Sequence, residues 1–292
     1  MHRMRVLYPA DGIVAFYDGR VEGYRFAEGA NWVDGGALQL GIASYAVVSG
    51  GEALVYDTHV SVEHARSIRE TLEGMGVTAF TVVLSHWHLD HVAGTAVFAD
   101  AEVVANERTA GLLRRHQAEI EAGTLEGPPA IDPLVLPDRV FSGGLEMEIG
   151  GRRVEVMAFD IHSDDATVVW LPEERTLLCG DTMEDPITYV TEPEGLERHL
   201  AELDRLARLE PARILPNHGD AEVIAGGGYG PELIDATREY IEVLRRVRGE
   251  PGAGESRLRE AIAGPLEAGW VRYFAPYEDV HRANLKRVRG VS

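Results

Sequence analysis

The sequence predicts an α/β fold in four layers, an αββα sandwich of two β-sheets, and two observations lead to it. Short apolar runs separated by turn residues fill two halves on either side of residue 140, and stretches with helical spacing lie between and after them. Each sheet has to bury a face, so two strand-rich halves packed on each other with helices outside satisfy both. At 292 residues and 45% hydrophobic content, the chain has enough apolar material for such a core.

In chain order, RVLYP, GIVAFYDG, GIASYAVVSGG and EALVYDT read as strands joined by Gly-containing hairpins. SVEHARSIRETLEGM, residues 61–75, opens on Ser61 as an N-cap and places Ala65, Ile68 and Leu72 at helical spacing. TAFTVVLS returns to a strand and completes a β-α-β unit that ends at Ser85. A helix is predicted over 106–122, followed by GPPAIDPLVLPDR, which is too irregular for regular structure; about 106–140 is expected to form an insertion or cap. LEMEIG, RRVEVMAF, ATVVWLP and RTLLCG are further strands, with a helix near 194–208 and a strand at ARILP. From about 231 the tail carries two helical segments, PELIDATREYIEVLRRVR and ESRLREAIAGPLE, separated by GEPGAG. One domain over 1–230, with 231–292 as a helical extension packed on it, is the expected organisation. Apolar Leu233, Ile234, Tyr240, Ile241 and Leu244 suit that packing or a homodimer contact.

Bulk properties narrow the chemistry. A formal charge of -20 argues against binding a phosphate backbone, so no nucleic-acid partner is expected. MHRMRVLYPADG has no apolar stretch after its basic residues, so neither a signal peptide nor a membrane partner is expected, and a cytoplasmic location follows by default. Cys179 is the single cysteine, so no intramolecular disulfide or cysteine cluster can form. A metal site in this chain has to be built from His and carboxylates.

Such a set is present. Ser85-His86-Trp87-His88-Leu89-Asp90-His91 follows directly on an apolar strand, and imidazoles and a carboxylate packed into six residues suit zinc. His162 in FDIHSDD, Asp181 in LLCGDT and His218 in LPNHGD each lie at or near a predicted strand end. Singly these are weak signals, since a His or a Gly-Asp turn has ordinary structural uses. Their order along the chain is what carries weight.

HxHxDH followed by His, Asp and His resembles the metallo-β-lactamase superfamily over roughly residues 40–220. The resemblance implies the metallo-β-lactamase fold, two mixed sheets flanked by helices, and two metal ions, Zn2+ first with Fe or Mn as alternatives. It implies that His86, His88 and His162 hold the first metal and that Asp90, His91 and His218 hold the second, with Asp181 bridging. Asp57, in EALVYDT, matches the family's aspartate beneath the site, which orients the ligands. A hydroxide shared by the metals is then the expected nucleophile, with Asp90 positioning it or passing its proton. Three departures, Ile161 for a glycine, Asp57-Thr58-His59 for DTG and Asn217-His218 for Gly-His, alter loop shape more than ligand chemistry.

HSDDATVVWLPEERTLLCGD looks like the superfamily's β-lactamases, but those typically carry Cys or Ser at the Asp181 position. An aspartate there resembles the esterase, lactonase, thioesterase and phosphodiesterase branches. The first expectation is therefore a hydrolase of a carboxylic ester, lactone or thioester, the second a β-lactamase-type amide hydrolase. A mononuclear iron persulfide dioxygenase is the alternative from another class. The partner expected is a small molecule, faced by Tyr24, Phe26, Trp32, Trp87 and Tyr189 on predicted loops.

Overall fold

The computed structural model describes residues 4–250 and 256–290 and shows the four-layer sandwich. The first sheet has seven strands in sequence order: β1 (Arg5–Ala10), β2 (Ile13–Asp18), β3 (Ile42–Ser49), β4 (Glu52–Tyr56), β5 (Ala79–Val83), β6 (Glu102–Asn106) and β7 (Arg139–Phe141). Pairing is antiparallel from β1 to β4 and parallel from β4 to β7. The second sheet has five strands: β8 (Gly144–Ile149), β9 (Arg152–Ala158), β10 (Thr167–Leu171), β11 (Thr176–Gly180) and β12 (Arg213–Pro216). It is antiparallel as far as β11 and parallel between β11 and β12.

Side chains alternate across a strand, so a strand buried on both faces is apolar throughout. In β2, Ile13, Ala15 and Tyr17 join the core between the sheets, while Val14 and Phe16 join the outer layer. That outer layer is covered by α1 (Val62–Gly74) and, beyond the short α2 (Leu89–Val92), by α3 (Glu107–Glu121). Ile68 and Leu72 of α1 are fully buried there, and truncating either to alanine costs roughly 2–5 kcal/mol. Ser61 caps α1 by accepting from the His64 N–H at 3.3 Å. The same hydroxyl lies 2.8 Å from His64 Nδ1, whose other ring nitrogen meets Asp18 Oδ2 at 3.0 Å, which ties α1 to β2.

The second sheet is covered by α4 (Leu196–Ala207) and, after α5 (Ala221–Ala225), by α6 (Glu232–Gly249). Three further helices follow: α7 (Leu258–Ala261), α8 (Ala263–Glu267) and α9 (Tyr277–Val288). Leu203, Ile241, Leu244, Leu258 and Leu285 share one cluster with the inter-sheet residues, so the tail is continuous with the main core. Its linker GEPGAG falls largely on residues 251–254, which lie outside the described residues.

Three local differences from the sequence reading have physical reasons. ESRLREAIAGPLE forms two short helices instead of one, with the break at Ile262, because Pro265 has no N–H to continue α7 and can sit only in the first turn of a new helix. α9 falls within the expected helical extension but outside its two named segments: its buried stripe is Tyr277, His281, Asn284, Leu285 and Val288, too polar to show hydrophobic periodicity. Within 106–140, α3 and the loop after it cover the outer face of the first sheet, with Ile131 and Leu134 in the outer layer. No helix among the described residues is long and apolar enough to cross a membrane.

Candidate metal centre

Asp57 follows β4, the run Ser85–His91 follows β5, Asp181 follows β11 and His218 lies two residues past β12. Within each sheet the paired strands involved are parallel, so these side chains leave at one edge of the sandwich. His162 joins them from the turn between β9 and β10. A close approach of the two sheets here depends on Gly180, whose φ is +57°. A Cβ there would lie 2.9 Å from Tyr56 Oη and 3.0 Å from Ser85 Cβ, so only glycine admits β11 this near to the β5 end.

The seven sequence-selected donors come together in two groups. One ligand atom from each of His86, His88, His162 and Asp181 lies within 4.8 Å of the others, and the same holds for Asp90, His91 and His218. Asp181 Oδ2 stands 3.7 Å from His86 Nε2 and 3.8 Å from His162 Nε2 in the first group. The same oxygen is 3.3 Å from His91 Nε2 and 3.4 Å from His218 Nε2 in the second. Asp90 spans the second group, with Oδ1 3.5 Å from His91 Nε2 and Oδ2 3.3 Å from His218 Nε2.

Hydrogen bonds on the far side of each ring aim the donors. His162 Nδ1 donates to the Tyr189 carbonyl at 2.9 Å and His218 Nδ1 to the Gly41 carbonyl at 2.7 Å. A carbonyl only accepts, so both rings carry a proton on Nδ1 and turn Nε2 inward. His91 Nδ1 faces Asp57 Oδ2 at 2.8 Å, and His86 Nδ1 faces Ser85 Oγ at 2.9 Å. Asp57 also accepts from the Ser85 N–H at 2.7 Å and from Asn217 Nδ2 at 2.5 Å, so the aspartate does lie beneath the metal loop. Both Asp57 (φ +65°) and His162 (φ +70°) hold a left-handed backbone, a cost on the order of 1–3 kcal/mol each that surrounding contacts must offset.

His86 Nε2, His91 Nε2 and Asp181 Oδ1 are buried with no hydrogen-bond partner. Buried ring nitrogens and a carboxylate oxygen left without hydrogen bonds at the focus of a polar cluster fit cations, which their lone pairs would hold. Ionisation agrees. Burial pushes the His86 imidazole well below its ordinary value and brings His88 to about 4 and His162 to about 3, leaving three neutral ligands. For His91 and His218 burial works the same way, but the Asp181 carboxylate and its neighbours outweigh it and hold both well above the ordinary value. For Asp90, burial opposes ionisation, yet His91 and His218 bring it to about 2. Carboxylates that recruit protons onto adjacent imidazoles mark a place that favours positive charge.

A cavity of about 750 Å³ opens onto both groups. Trp87 and Tyr189 line it, as expected of them, together with Ala37, Leu40, Val280 and Ala283. Tyr24, Phe26 and Trp32 do not: they pack outside the π-helical turn Val33–Leu38, on Val33, Ala37, Leu38, Ile42 and Val60. Tyr24 borders a separate cavity of about 650 Å³, and Phe26 and Trp32 a recess of about 170 Å³. The wall of the turn that faces the metal cavity is instead the small Gly35, Gly36 and Ala37. Of the suspected cap region, Glu126 lines the cavity, while α9 contributes Asp279, Val280, Ala283 and Arg287.

Sequence reading missed several supporting residues. Asp165 accepts from the Trp87 N–H at 3.0 Å and from Thr109 Oγ1 at 2.9 Å, which fixes the metal loop to α3. Glu184 is buried between the Tyr189 N–H (3.0 Å) and Tyr277 Oη (2.9 Å). Asp165 stands in the conspicuous run HSDD, whereas nothing local marks Glu184.

Comparison with known proteins agrees with this geometry. Residues 38–218 match the Metallo-beta-lactamase superfamily. The Beta-lactamase-like protein 2 homolog of Caenorhabditis elegans is 25% identical over 210 residues, 70% of this chain and 66% of that protein. An Atrochrysone carboxyl ACP thioesterase of Aspergillus novofumigatus is 26% identical over 237 residues, 76% of this chain and 65% of that one. The matched part of the chain thus spans just under two thirds of the length of these curated relatives. A Metallo-beta-lactamase from Pontibacter korlensis superposes with a TM-score of 0.61 over 82% of this chain and 99% of that one, at 18% identity, a likeness of fold. With the match covering most of its length and all seven donors gathered at one edge of the sandwich, the chain belongs to the metallo-beta-lactamase superfamily.

Proposed function

We propose that this chain is a dinuclear zinc hydrolase of small carboxylic esters, lactones or thioesters. The observation that carries the reading is Asp181 Oδ2, which lies 3.3 to 3.8 Å from imidazole nitrogens of both donor groups. One carboxylate so placed could serve ions held by both groups. His86, His88 and His162 would hold the first ion and Asp90, His91 and His218 the second. When bound, two zinc ions supply Lewis acidity and lower the pKa of a water toward neutrality.

The chain's own groups set the rest. Asp90 is ionised and lines the cavity, so its carboxylate can accept a hydrogen bond from an attacking water and orient it. Trp87, Leu40, Val280 and Ala283 offer an apolar wall for an acyl group. Cys179 is buried, and burial pushes its thiol up, so it takes no part as a nucleophile. Relatives named as thioesterases support acyl transfer to water as the reaction type.

Zinc-loaded protein assayed on p-nitrophenyl esters, acyl lactones, thioesters, a chromogenic cephalosporin and bis-p-nitrophenyl phosphate tests the reading. Turnover is expected on the acyl compounds first. Preferential cephalosporin cleavage would replace it with the amide-hydrolase reading, and oxygen uptake with a persulfide would replace it with the dioxygenase reading. Fewer than one transition metal per chain after growth in metal-replete medium would sink the metal chemistry altogether.

A further inference from the structure

The C-terminal helix lies outside the stretch that matches the superfamily, yet it is joined to the metal centre by a continuous set of hydrogen bonds. The joint is the segment Thr188–Thr191. Its Tyr189 carbonyl accepts from His162 Nδ1 at 2.9 Å, and Thr191 donates to the His162 carbonyl from its N–H at 2.9 Å and its hydroxyl at 2.6 Å. At the other end of the segment, the Thr188 hydroxyl donates to the Asp181 carbonyl at 2.6 Å. Two of the four donors in the first group therefore take their orientation from these four residues.

α9 grips that segment from the opposite side. Asn284, 0% exposed, accepts from the Val190 N–H at 2.9 Å and donates through Nδ2 to the Thr188 carbonyl at 3.0 Å, with Tyr240 Oη 3.1 Å from the same nitrogen. Tyr277, also 0% exposed, donates to Glu184 Oε2 at 2.9 Å, and Glu184 Oε1 accepts from the Tyr189 N–H at 3.0 Å. Arg287 donates to the Thr191 carbonyl at 3.3 Å and lies 4.8 Å from the centre of the Tyr189 ring. The Tyr189 peptide is thus clamped on both flanks by side chains from α9, and its carbonyl is the one that sets the His162 ring.

We propose that Asn284, with Tyr277 acting through Glu184, is a positioning residue for His162, so that the C-terminal helix acts on the metal centre first through the half-site that His162 belongs to. The physical reason is the left-handed backbone of His162, at φ +70°, which needs external hydrogen bonds to hold it. His91 and His218 have their own supports, in Asp57 and in the Gly41 carbonyl. A polar buried stripe on α9 follows from the same role: an apolar residue at 284 would leave the Val190 N–H and the Thr188 carbonyl unpaired.

This inference rests on the two-metal reading, and zinc titration separates the two. Wild-type, Asn284→Ala and Tyr277→Phe proteins are stripped of metal, checked for fold by circular dichroism, and titrated with zinc against a chromophoric chelator. In Asn284→Ala one of two zinc constants is expected to weaken by about 10–100-fold, with the other unchanged. Tyr277→Phe, which removes one hydroxyl without changing shape, should weaken the same constant by less, and stands as the test if Asn284→Ala does not fold. In a His162→Ala background, Asn284→Ala should add nothing to the remaining constant. Wild-type constants in both variants, or an equal loss at both half-sites, would overturn the positioning role while leaving the dinuclear reading intact. A wild-type chain that binds no zinc would remove both.

Discussion

Asp57 Oδ2 lies 2.8 Å from His91 Nδ1: Asp57 directly follows β4, and His91 stands in α2, reached by the loop that leaves the parallel neighbour β5. His91 is thereby held with Nε2 toward Asp181. Asp57→Ala is expected to weaken zinc binding by about 10–100-fold, since partners behind a ligating imidazole typically carry that much of the affinity. Zinc content after dialysis against a weak chelator measures it. Retention of two zinc ions at wild-type affinity would show that Asp57 serves only the loop backbone.

Asp181→Ala should remove hydrolysis and lower metal content to one ion per chain or fewer, because the oxygen between the two groups is lost. Adding zinc to the metal-free wild-type chain should also raise its thermal midpoint, as expected of a ligand that prefers the folded state. Elemental analysis and calorimetry with and without chelator report both. Full activity in the variant would refute the bridging role.

Trp87→Ala should raise KM for an aromatic acyl ester by about tenfold with metal content unchanged, as expected for loss of apolar contact felt in ground and transition states alike. Trp32→Ala, placed outside the turn away from the metal cavity, should leave KM as it was. Steady-state kinetics on one ester series decides. An equal effect from both substitutions would mean the substrate also runs over the outer side of the turn.

Burial raises the Asp165 carboxyl to about 6 from 3.8, against the hydrogen bonds of Ser163 and Thr109 that lower it. A raised carboxylate pKa means that the ionised form is disfavoured in the folded chain. Its contribution to stability is complete below the unfolded value and is lost as pH rises through the folded one. In metal-free protein, the stability of wild type relative to Asp165→Asn should therefore fall by about 2 kcal/mol between about pH 4 and pH 7. Urea unfolding of both proteins across that window tests it, and parallel curves would contradict the assignment.

Cys179 is fully buried in β11, and burial pushes its thiol up. The native protein should give no reaction with a thiol reagent over minutes, and the denatured protein one equivalent. Rapid native labelling would show that this strand opens.

Much of the fold was legible from local pattern. Strands buried on both faces, as in β2, read as unbroken apolar runs, and α1 announced itself through Ser61 and the spacing of Ala65, Ile68 and Leu72. The donor set was legible for a related reason: His86, His88, Asp90 and His91 sit in one hexapeptide, and metal chemistry admits few residue types. α9 was not legible, because the residues it buries, Tyr277, His281 and Asn284, make hydrogen bonds to Glu184, to Tyr240 and to the Thr188–Val190 backbone that exist only once those segments are folded against the helix.

The sequence by itself determined the layered architecture and which seven side chains can meet a cation, since both follow from residue type and order. Tertiary structure alone decided that Asp181 Oδ2 reaches both groups, that Tyr24, Phe26 and Trp32 face away, and that α9 forms a wall of the site. Those are relations between segments far apart in the chain. They depend on how closely β11 approaches the end of β5 at Gly180 and on which side of the Val33–Leu38 turn is small, distances that no local pattern encodes.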